Sequence, residues 1–545
     1  MITIVCLGTL CDTRRMQLLM KVRHWLQNVR QQHAQELVLL VCVLLLATTL
    51  RLVRLPDQFI WNGDTARDIV VAKHLWEYDE PLELGHSAYG LRIDSPKNVG
   101  DVYGMSHYPT YYFRLMALLW GVTKNVYGVA VIAVGWQILG LVILYYGLRQ
   151  LAGRWPAVIT IGLISVSVKA IEHSLGVAIH PAVPYFFLLF TLTVLGIQRR
   201  KLFLLGTALG LALCGVLVHY SFLICFGWIL GLTFYSLWKR NRRRDALAFV
   251  TAALGVGGLL FFFLHLEVIR FYGLKEFIGT FTGQYQASSF SMAQLYPQFA
   301  DIFLRRLRGV YPLWTTVCVA VSFGLGSIAY NLRKDLQKPL LGLAGFGLSL
   351  LILGALKVPN TFHYEQVVFV DYVVLILNGI SLGVILESRK AEISIAAGVL
   401  GAVLVLSSTQ LFYRHPPILY TIPITAAQKQ AEELLAKNPQ SLENTEFFVS
   451  SYYSWDYESP TVIYWLEELS GKKLIELTEV YDNIAWPQEG KTHMIASCQR
   501  YARFPAMEAA SCQNWLRHFE DSGKYVREKE LFSNEHYRAV LYRRK

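Results

Sequence analysis

The sequence predicts an α-helical polytopic membrane protein with a small α/β domain at its C-terminal end. Three observations predict it. Hydrophobic residues make up 54% of the 545 and charged residues only 17%, too apolar for a soluble chain of this length. The apolar residues gather in runs of roughly twenty, the length a helix needs to cross hydrocarbon. Beyond residue 414 those runs give way to short segments that alternate between helix and strand patterns.

The formal net charge of +12 does not point to nucleic acid. Its basic residues fall in short tracts between apolar runs, the pattern by which membrane chains fix their orientation. The eight cysteines do not form a disulfide framework. Cys42, Cys214, Cys225 and Cys318 lie in apolar runs, where cysteine behaves as a small hydrophobe, and Cys6 and Cys11 sit in a basic segment. Cys498 and Cys512 share a polar region and are the one pair that could bridge, although spacing alone does not establish it.

In chain order, residues 1–36 are polar and basic and are expected to stay cytoplasmic. The first span, 37–53, has no small-residue cleavage site after it and reads as a retained helix. The first outer loop, 54–126, follows. Within it 111–124 is apolar but short and carries Arg114 and Lys124, so it reads as a helix at the interface anchored by Tyr and Trp. The further spans are 127–148, 156–171, 181–198, 202–218, 220–238, 246–268, 310–331, 339–357, 367–387 and 392–413. With 111–124 not crossing, the tracts Arg149/Arg154, Arg199–Lys201, Lys239–Arg244, Arg333–Lys338 and Arg389–Lys390 all fall inside. That gives about eleven crossings, with the N-terminus in and the C-terminus out. The transmembrane unit is thus 37–413 and the extracytoplasmic domain 414–545. In the latter, 425–437 reads as an amphipathic helix, TEFFVSSYYS as a strand and TVIYWLEEL as a helix. LIELTE and THMIAS read as strands, the region near 512–521 as helical, and HYRAVLYRR as a closing strand.

This orientation collects the unusual polar residues on one face. Asp64, Asp68, His107, Glu172, His173, His180, His219, His363 and Glu365 lie at or near outer ends of spans, as does the cluster Arg305, Arg306 and Arg308. Acids, imidazoles and guanidinium groups converging on one membrane surface are what a site needs. The stretch Trp61-Asn62-Gly63-Asp64-Thr65-Ala66-Arg67-Asp68, just past the first span, is the centre of the reading.

Gly63-Asp64-Thr65-Ala66-Arg67-Asp68 soon after the first span, followed by His107-Tyr108-Pro109-Thr110-Tyr111-Tyr112, resembles the first outer loop of class C glycosyltransferases (GT-C fold). The branch it is most similar to is that of the protein O-mannosyltransferases and lipid A aminoarabinose transferases. Thr65 stands where that group commonly has Glu, and Tyr108 replaces a proline. His219-Tyr220-Ser221 and His363-Tyr364-Glu365 resemble polar signatures at later helix ends, so the likeness covers 40–415. It implies transfer of a sugar from a polyprenyl-phosphate donor to a lipid, glycan or protein acceptor at the outer face of the plasma (inner) membrane.

The physical logic agrees. A phosphate leaving group needs cations rather than a general acid, and the acceptor hydroxyl needs a base. Asp64 can be that base, by a single inverting displacement, or can cap the helix that follows it. Asp68 fits a partner for Arg67 or Lys73. The resemblance makes Glu172 the candidate second acid; the other reading is an ordinary solvated loop glutamate. Arg305, Arg306 and Arg308 suit the donor phosphate or anionic headgroups, with Arg270 and Lys275 as further cations of that segment. Arg67, His107, Tyr111, His180, His219, His363 and Glu365 complete the candidate substrate-binding set. The histidines lack short ligand spacing, so hydrogen bonding is expected of them and no cofactor is required; a divalent metal has no motif behind it. Trp61, Tyr111, Tyr112 and Trp120 read first as interfacial anchors. A transporter or flippase is the alternative, but its polar groups belong near the midplane.

Overall fold

The structure is a computed structural model. It describes residues 34–53, 55, 59, 61, 63–79, 111–175, 182–217, 222–266, 269–270, 274, 292–311, 314–357, 368–388, 391–414, 424–451, 459–474, 490–499, 516–517, 519–533 and 537–545. Of Gly63, Asp64, Arg67 and Tyr111 the backbone alone is described. His107, His180, His219, His363, Glu365, Lys275, Cys512, the LIELTE strand beyond Leu474 and the Tyr452–Trp455 cluster lie outside the described residues.

The membrane part is a bundle of apolar helices. Six are long and apolar enough to cross: α1 (Ala34–Leu52), α4 (Val126–Ala152), α9 (Phe222–Lys239), α10 (Arg243–Leu264), α12 (Thr315–Leu332) and α14 (Val368–Leu386). Between them stand five helices with shorter apolar stretches: α5 (Arg154–Val166), α7 (Ala182–Gln198), α8 (Leu202–Gly215), α13 (Gln337–Lys357) and α15 (Ala391–Arg414). These eleven helices coincide with the apolar runs read from the sequence. Two further helices lie between α1 and α4, namely α2 (Gly63–Glu77) and α3 (Tyr111–Thr123). Length does not separate α3 from α5, which also has 13 residues; packing does, since Met116 and Trp120 of α3 lie in one cluster with Ala66 and Ile69 of α2. The span expected at 156–171 is broken: α5 stops at Val166, Ser167 is extended, and the short α6 (Val168–Glu172) follows. A helix not foreseen, α11 (Met292–Val310), fills part of the segment read as an outer loop.

The environment of α14 differs from that of the other spans. It is buried nearly all round, whereas α10 points Leu254, Leu259 and Phe263 outward. Close approach puts α14 at the centre. A Cβ on Gly383 would lie 2.3 Å from Cα of Pro156, and one on Gly379 2.4 Å from Cα of Thr160, so α5 and α14 meet backbone to backbone. Phe369 stacks on Phe186 of α7 and meets Phe222 of α9 edge-on, which closes the core around α14.

The two ends of the bundle are chemically distinct. At one end Glu36 accepts hydrogen bonds from Tyr145 and from Arg149, Arg199 donates to Tyr146, Arg240 donates to the Ile197 carbonyl, and Arg333 pairs with Asp335. Among the described residues the tracts at Arg149, Arg199 and Arg240 therefore gather together. At the other end lie α2, α3, α6 and a buried group of charges.

The C-terminal part is a four-stranded mixed sheet with two helices. Its elements are α16 (Ile424–Lys437), β1 (Thr445–Ser451), α17 (Ser459–Ser470), β2 (His493–Gln499), β3 (Tyr525–Ser533) and β4 (Tyr537–Arg544). The order is β1-β2-β4-β3, with β1 parallel to β2 and the other pairs antiparallel. A parallel pair needs a crossover, and α17 lies within it. Strand β3 was not foreseen. It carries Arg527, Glu528, Lys529 and Glu530, all exposed, at the sheet edge, where charge discourages further pairing.

Candidate active site

The helices α2 and α3 share one core with the C-terminal part. Ala66, Ile69 and Val70 of α2, Met116 and Trp120 of α3, and Tyr464, Trp465 and Leu466 of α17 belong to a single buried cluster. Trp61 and Trp120 are fully buried there, which corrects their reading as interfacial anchors. Trp61 donates through Nε1 to the Thr461 carbonyl at 2.9 Å and meets the Tyr464 ring edge-on. Trp120 donates to Glu77 Oε1 at 2.9 Å, tying α3 to the end of α2. Lower on α2, Lys73 pairs with Glu468 at 2.6 Å and the buried His74 meets both oxygens of Glu467, at 2.9 and 3.1 Å.

These contacts hold the helix that carries Asp64. Asp64 is its second residue, inside the first turn rather than at the cap. Asp68, four residues on, is buried and accepts from the Tyr112 hydroxyl at 2.9 Å; Lys73, one of the partners expected for it, goes to α17 instead.

Glu172 ends α6. Ile171, beside it, packs in the same core as Ala66 and Ile69, so α2 and α6 meet one hydrophobic cluster. Glu172 is 6% exposed, which overturns the solvated-loop alternative. Lys169 pairs with it at 2.8 Å, one turn back on the same short helix. Burial pushes the Glu172 carboxyl above the ordinary glutamate range; the charge of Asp371 adds to this, and Lys169 opposes it.

The arginine cluster divides. On α11 the residues Ile302, Arg306 and Val310 recur every four positions and are buried, while Asp301, Arg305 and Arg308 are exposed. Arg305 pairs with Asp301 at 2.8 Å, and Arg270 is exposed after α10. Arg306 turns inward and donates through Nη1 to Asp371 Oδ2 at 3.2 Å. Around this pair, His173 Nδ1 is 3.3 Å from the Tyr372 hydroxyl, and Arg51, 2% exposed, donates to the Ala47 and Ser165 carbonyls.

The structure thus brings Glu172 and Arg306 to one end of the bundle, and adds Lys169, Asp371 and Arg51. Sequence reading passed over Asp371 because it lies inside an apolar run. The available signal was that a carboxylate within such a run has no bland place to go. Its position in the first turn of α14 is favourable to negative charge. Among the described residues no three His, Cys, Asp or Glu groups converge as a metal set.

The fold and the charged end define the class: a multi-pass membrane protein with the GT-C fold. The particular likenesses are to two enzymes. ArnT from Cupriavidus metallidurans, in a structure bound to undecaprenyl phosphate, superposes with a TM-score of 0.56 at 12% identity, covering 93% of this chain and 97% of that one. The oligosaccharyltransferase of Archaeoglobus fulgidus superposes in its apo form with a TM-score of 0.53 at 11% identity, covering 90% and 73%. Its structure tethered to an acceptor peptide with an NVT sequon superposes with a TM-score of 0.51 at 11% identity, covering 91% and 72%. No protein-family model matches the sequence, and no curated protein matches it.

Proposed function

We propose that this protein is a glycosyltransferase that moves a sugar from a polyprenyl-phosphate donor to an acceptor at the outer face of the plasma (inner) membrane. One observation carries the reading. In a fold shared with ArnT over nearly the whole of both chains, α2 with Asp64 and α6 with Glu172 pack into one core, at the end of the bundle where Arg306 is buried. That ArnT structure holds undecaprenyl phosphate, which makes a lipid-linked phosphate the donor class to test first.

The acceptor, a lipid, glycan or protein hydroxyl, attacks the anomeric carbon. The carbon–oxygen bond to phosphate breaks, the electron pair leaves with polyprenyl phosphate, and the anomeric centre inverts. Asp64 takes the hydroxyl proton. Glu172 is the second acid of the site, and the cations of the 305–308 segment stabilise the departing phosphate. Arg67, His107, Tyr111, His180, His219, His363 and Glu365 are proposed to line it with Asp68. The eleven apolar helices cross the membrane with the basic tracts inside, and residues 414–545 form the outer domain.

The test is radiolabelled transfer in membranes from a panel of polyprenyl-phosphate sugars, comparing wild type with Asp64→Asn. Transfer by wild type and its loss in a folded variant support the reading. Equal transfer by both removes Asp64 as the base. Uptake or flipping of a lipid-linked sugar in proteoliposomes, with no transfer from any donor, points to a transporter.

A further inference from the structure

We infer that the basic end of the bundle carries a headgroup site for an anionic phospholipid of the surrounding bilayer, formed where Lys239, the last residue of α9, meets Lys338, the second of α13. The place is far from the proposed active site. Lys239 follows Phe222 by seventeen residues of helix, about 25 Å, and Phe222 meets Phe369 at the end of the bundle that holds Asp371. The inference does not depend on the proposed transfer.

One helix seam brings the two lysines together. Trp228 of α9 meets Phe346 of α13 edge-on at 6.1 Å. A Cβ on Gly345 would lie 3.0 Å from the same indole, and one on Gly342 would lie 3.9 Å from Leu232. On α9 the positions 228, 232, 235 and 239 recur with the period of one helix face, and on α13 so do 338, 342 and 345. The seam therefore ends in Lys239 on one side and Lys338 on the other. Their side chains lie within hydrogen-bonding reach of each other.

Two ammonium groups this close repel, and neither can accept a hydrogen bond from the other. Among the described residues no carboxylate pairs with either lysine: Asp245 goes to Arg242, Asp335 and Glu387 go to Arg333, and Glu36 goes to Arg149. Orienting a membrane chain takes positive charge in its loops, but it does not take two cations on facing turns of one seam. A phosphodiester oxygen placed between them relieves the repulsion and supplies an acceptor to both.

The surroundings favour a lipid over a free anion. Tyr235 and Trp238 in the last turns of α9 are exposed, and so are Leu341 and Leu348 on α13. Arg243 lies over the Trp238 ring at 5.0 Å, which keeps a further cation beside the pair. Aromatic rings at headgroup depth, with aliphatic side chains along the helix beyond them, match a phosphate whose chains continue into hydrocarbon. Basic recesses between membrane helices hold anionic headgroups in this way.

The test is native mass spectrometry of the purified full-length protein, delipidated in detergent and titrated with phosphatidylglycerol or phosphatidylcholine. Wild type should retain phosphatidylglycerol in preference. Lys239→Ala and Lys338→Ala should each raise its Kd about fivefold, and the double variant should raise it further. Lys334→Ala removes an exposed cation between α12 and α13 and should bind as wild type does. Lys239→Glu turns the repelling pair into an attracting one. It should lose the lipid and yet melt higher than wild type in phosphatidylcholine nanodiscs. Unchanged binding in the double variant overturns the site. An equal loss in Lys334→Ala overturns the pair in favour of a diffuse basic surface. Displacement of the lipid by inorganic phosphate overturns the lipid assignment in favour of a free anion. A Lys239→Glu protein that melts no higher than wild type overturns the close approach of the two lysines.

Discussion

His74 and Glu467, 393 positions apart, form a fully buried pair in which the imidazole Nε2 lies 2.9 Å from one carboxylate oxygen and 3.1 Å from the other. Glu467 also accepts from the Leu474 backbone at 2.9 Å, and Lys73 lies 3.6 Å away. This is how α17 of the C-terminal part grips the helix that begins beside Asp64. Removing one member of a buried pair leaves its partner desolvated and uncompensated, which costs roughly 3–5 kcal/mol. Glu467→Leu should therefore lower the melting temperature sharply. Glu467→Gln keeps the shape and one acceptor oxygen, and should lose less. A melting curve for Glu467→Leu that overlays wild type would show that the grip is not made.

Glu172 sets a pH dependence whose sign can be worked out. Its folded carboxyl titrates above the ordinary value of 4.5, chiefly because it is buried. Between those two values the folded state holds more protons than the unfolded one, so ionising Glu172 lowers stability as pH rises. The contribution is fully present below 4.5 and is lost as pH climbs through the raised folded value. Glutamine mimics the protonated form. Glu172→Gln should thus melt higher than wild type at neutral pH, and the gap should close as pH falls below 4.5. If Glu172 is the second acid, the same variant loses transfer. Higher stability with lower activity is the signature; a destabilised variant at pH 7 contradicts the buried-acid description.

What the sequence made legible follows from range. Hydrocarbon demands long apolar runs, so the apolar helices could be placed within a few residues from local pattern alone. The chemistry of the site is written in pairs that no window contains. Arg306 and Asp371 are 65 positions apart, and Asp371 looks like a flaw in an apolar run until α11 brings a guanidinium to it. Arg305, Arg306 and Arg308 were indistinguishable as a cluster because α11 was read as loop; the helical period alone separates the buried one from the others. Trp61 and Trp120 misled for a different reason. Next to a membrane, tryptophan is commonly an anchor, and only the presence of α17 turns both into core residues.

The contact between α5 and α14 gives a prediction about packing. A methyl group on Gly383 would collide with the Pro156 backbone, and one on Gly379 with Thr160. Backbone cannot rotate out of the way as a side chain can, so the helices must move apart. Gly383→Ala should cost about 1–3 kcal/mol or more through overpacking. Gly398→Ala on α15, where no atom lies within 4 Å, should be neutral or slightly stabilising, because alanine favours helix. Thermal denaturation of the detergent-solubilised pair decides it: equal melting would mean that α5 and α14 do not approach this closely.

Trp61 joins the fold to the proposed chemistry. It lies three residues before Asp64, is fully buried, and is fixed twice: by its ring against Phe59, Tyr464 and Trp465, and by Nε1 on the Thr461 carbonyl. Trp61→Ala removes both and should cost about 3–5 kcal/mol, enough to confuse loss of folding with loss of function. Trp61→Phe separates them. It keeps most of the ring burial and removes the hydrogen bond, a loss of about 1 kcal/mol or somewhat more if the carbonyl stays unpaired. The start of α2 then has one fewer constraint. If Asp64 is the base, small displacements there matter for the proton it must reach, so turnover should fall several-fold while the KM for the lipid donor changes little. The measurement is steady-state transfer at saturating acceptor, with the melting curve alongside. A folded Trp61→Phe protein with wild-type turnover would separate the Trp61 anchor from catalysis and leave α17 a purely stabilising partner of α2.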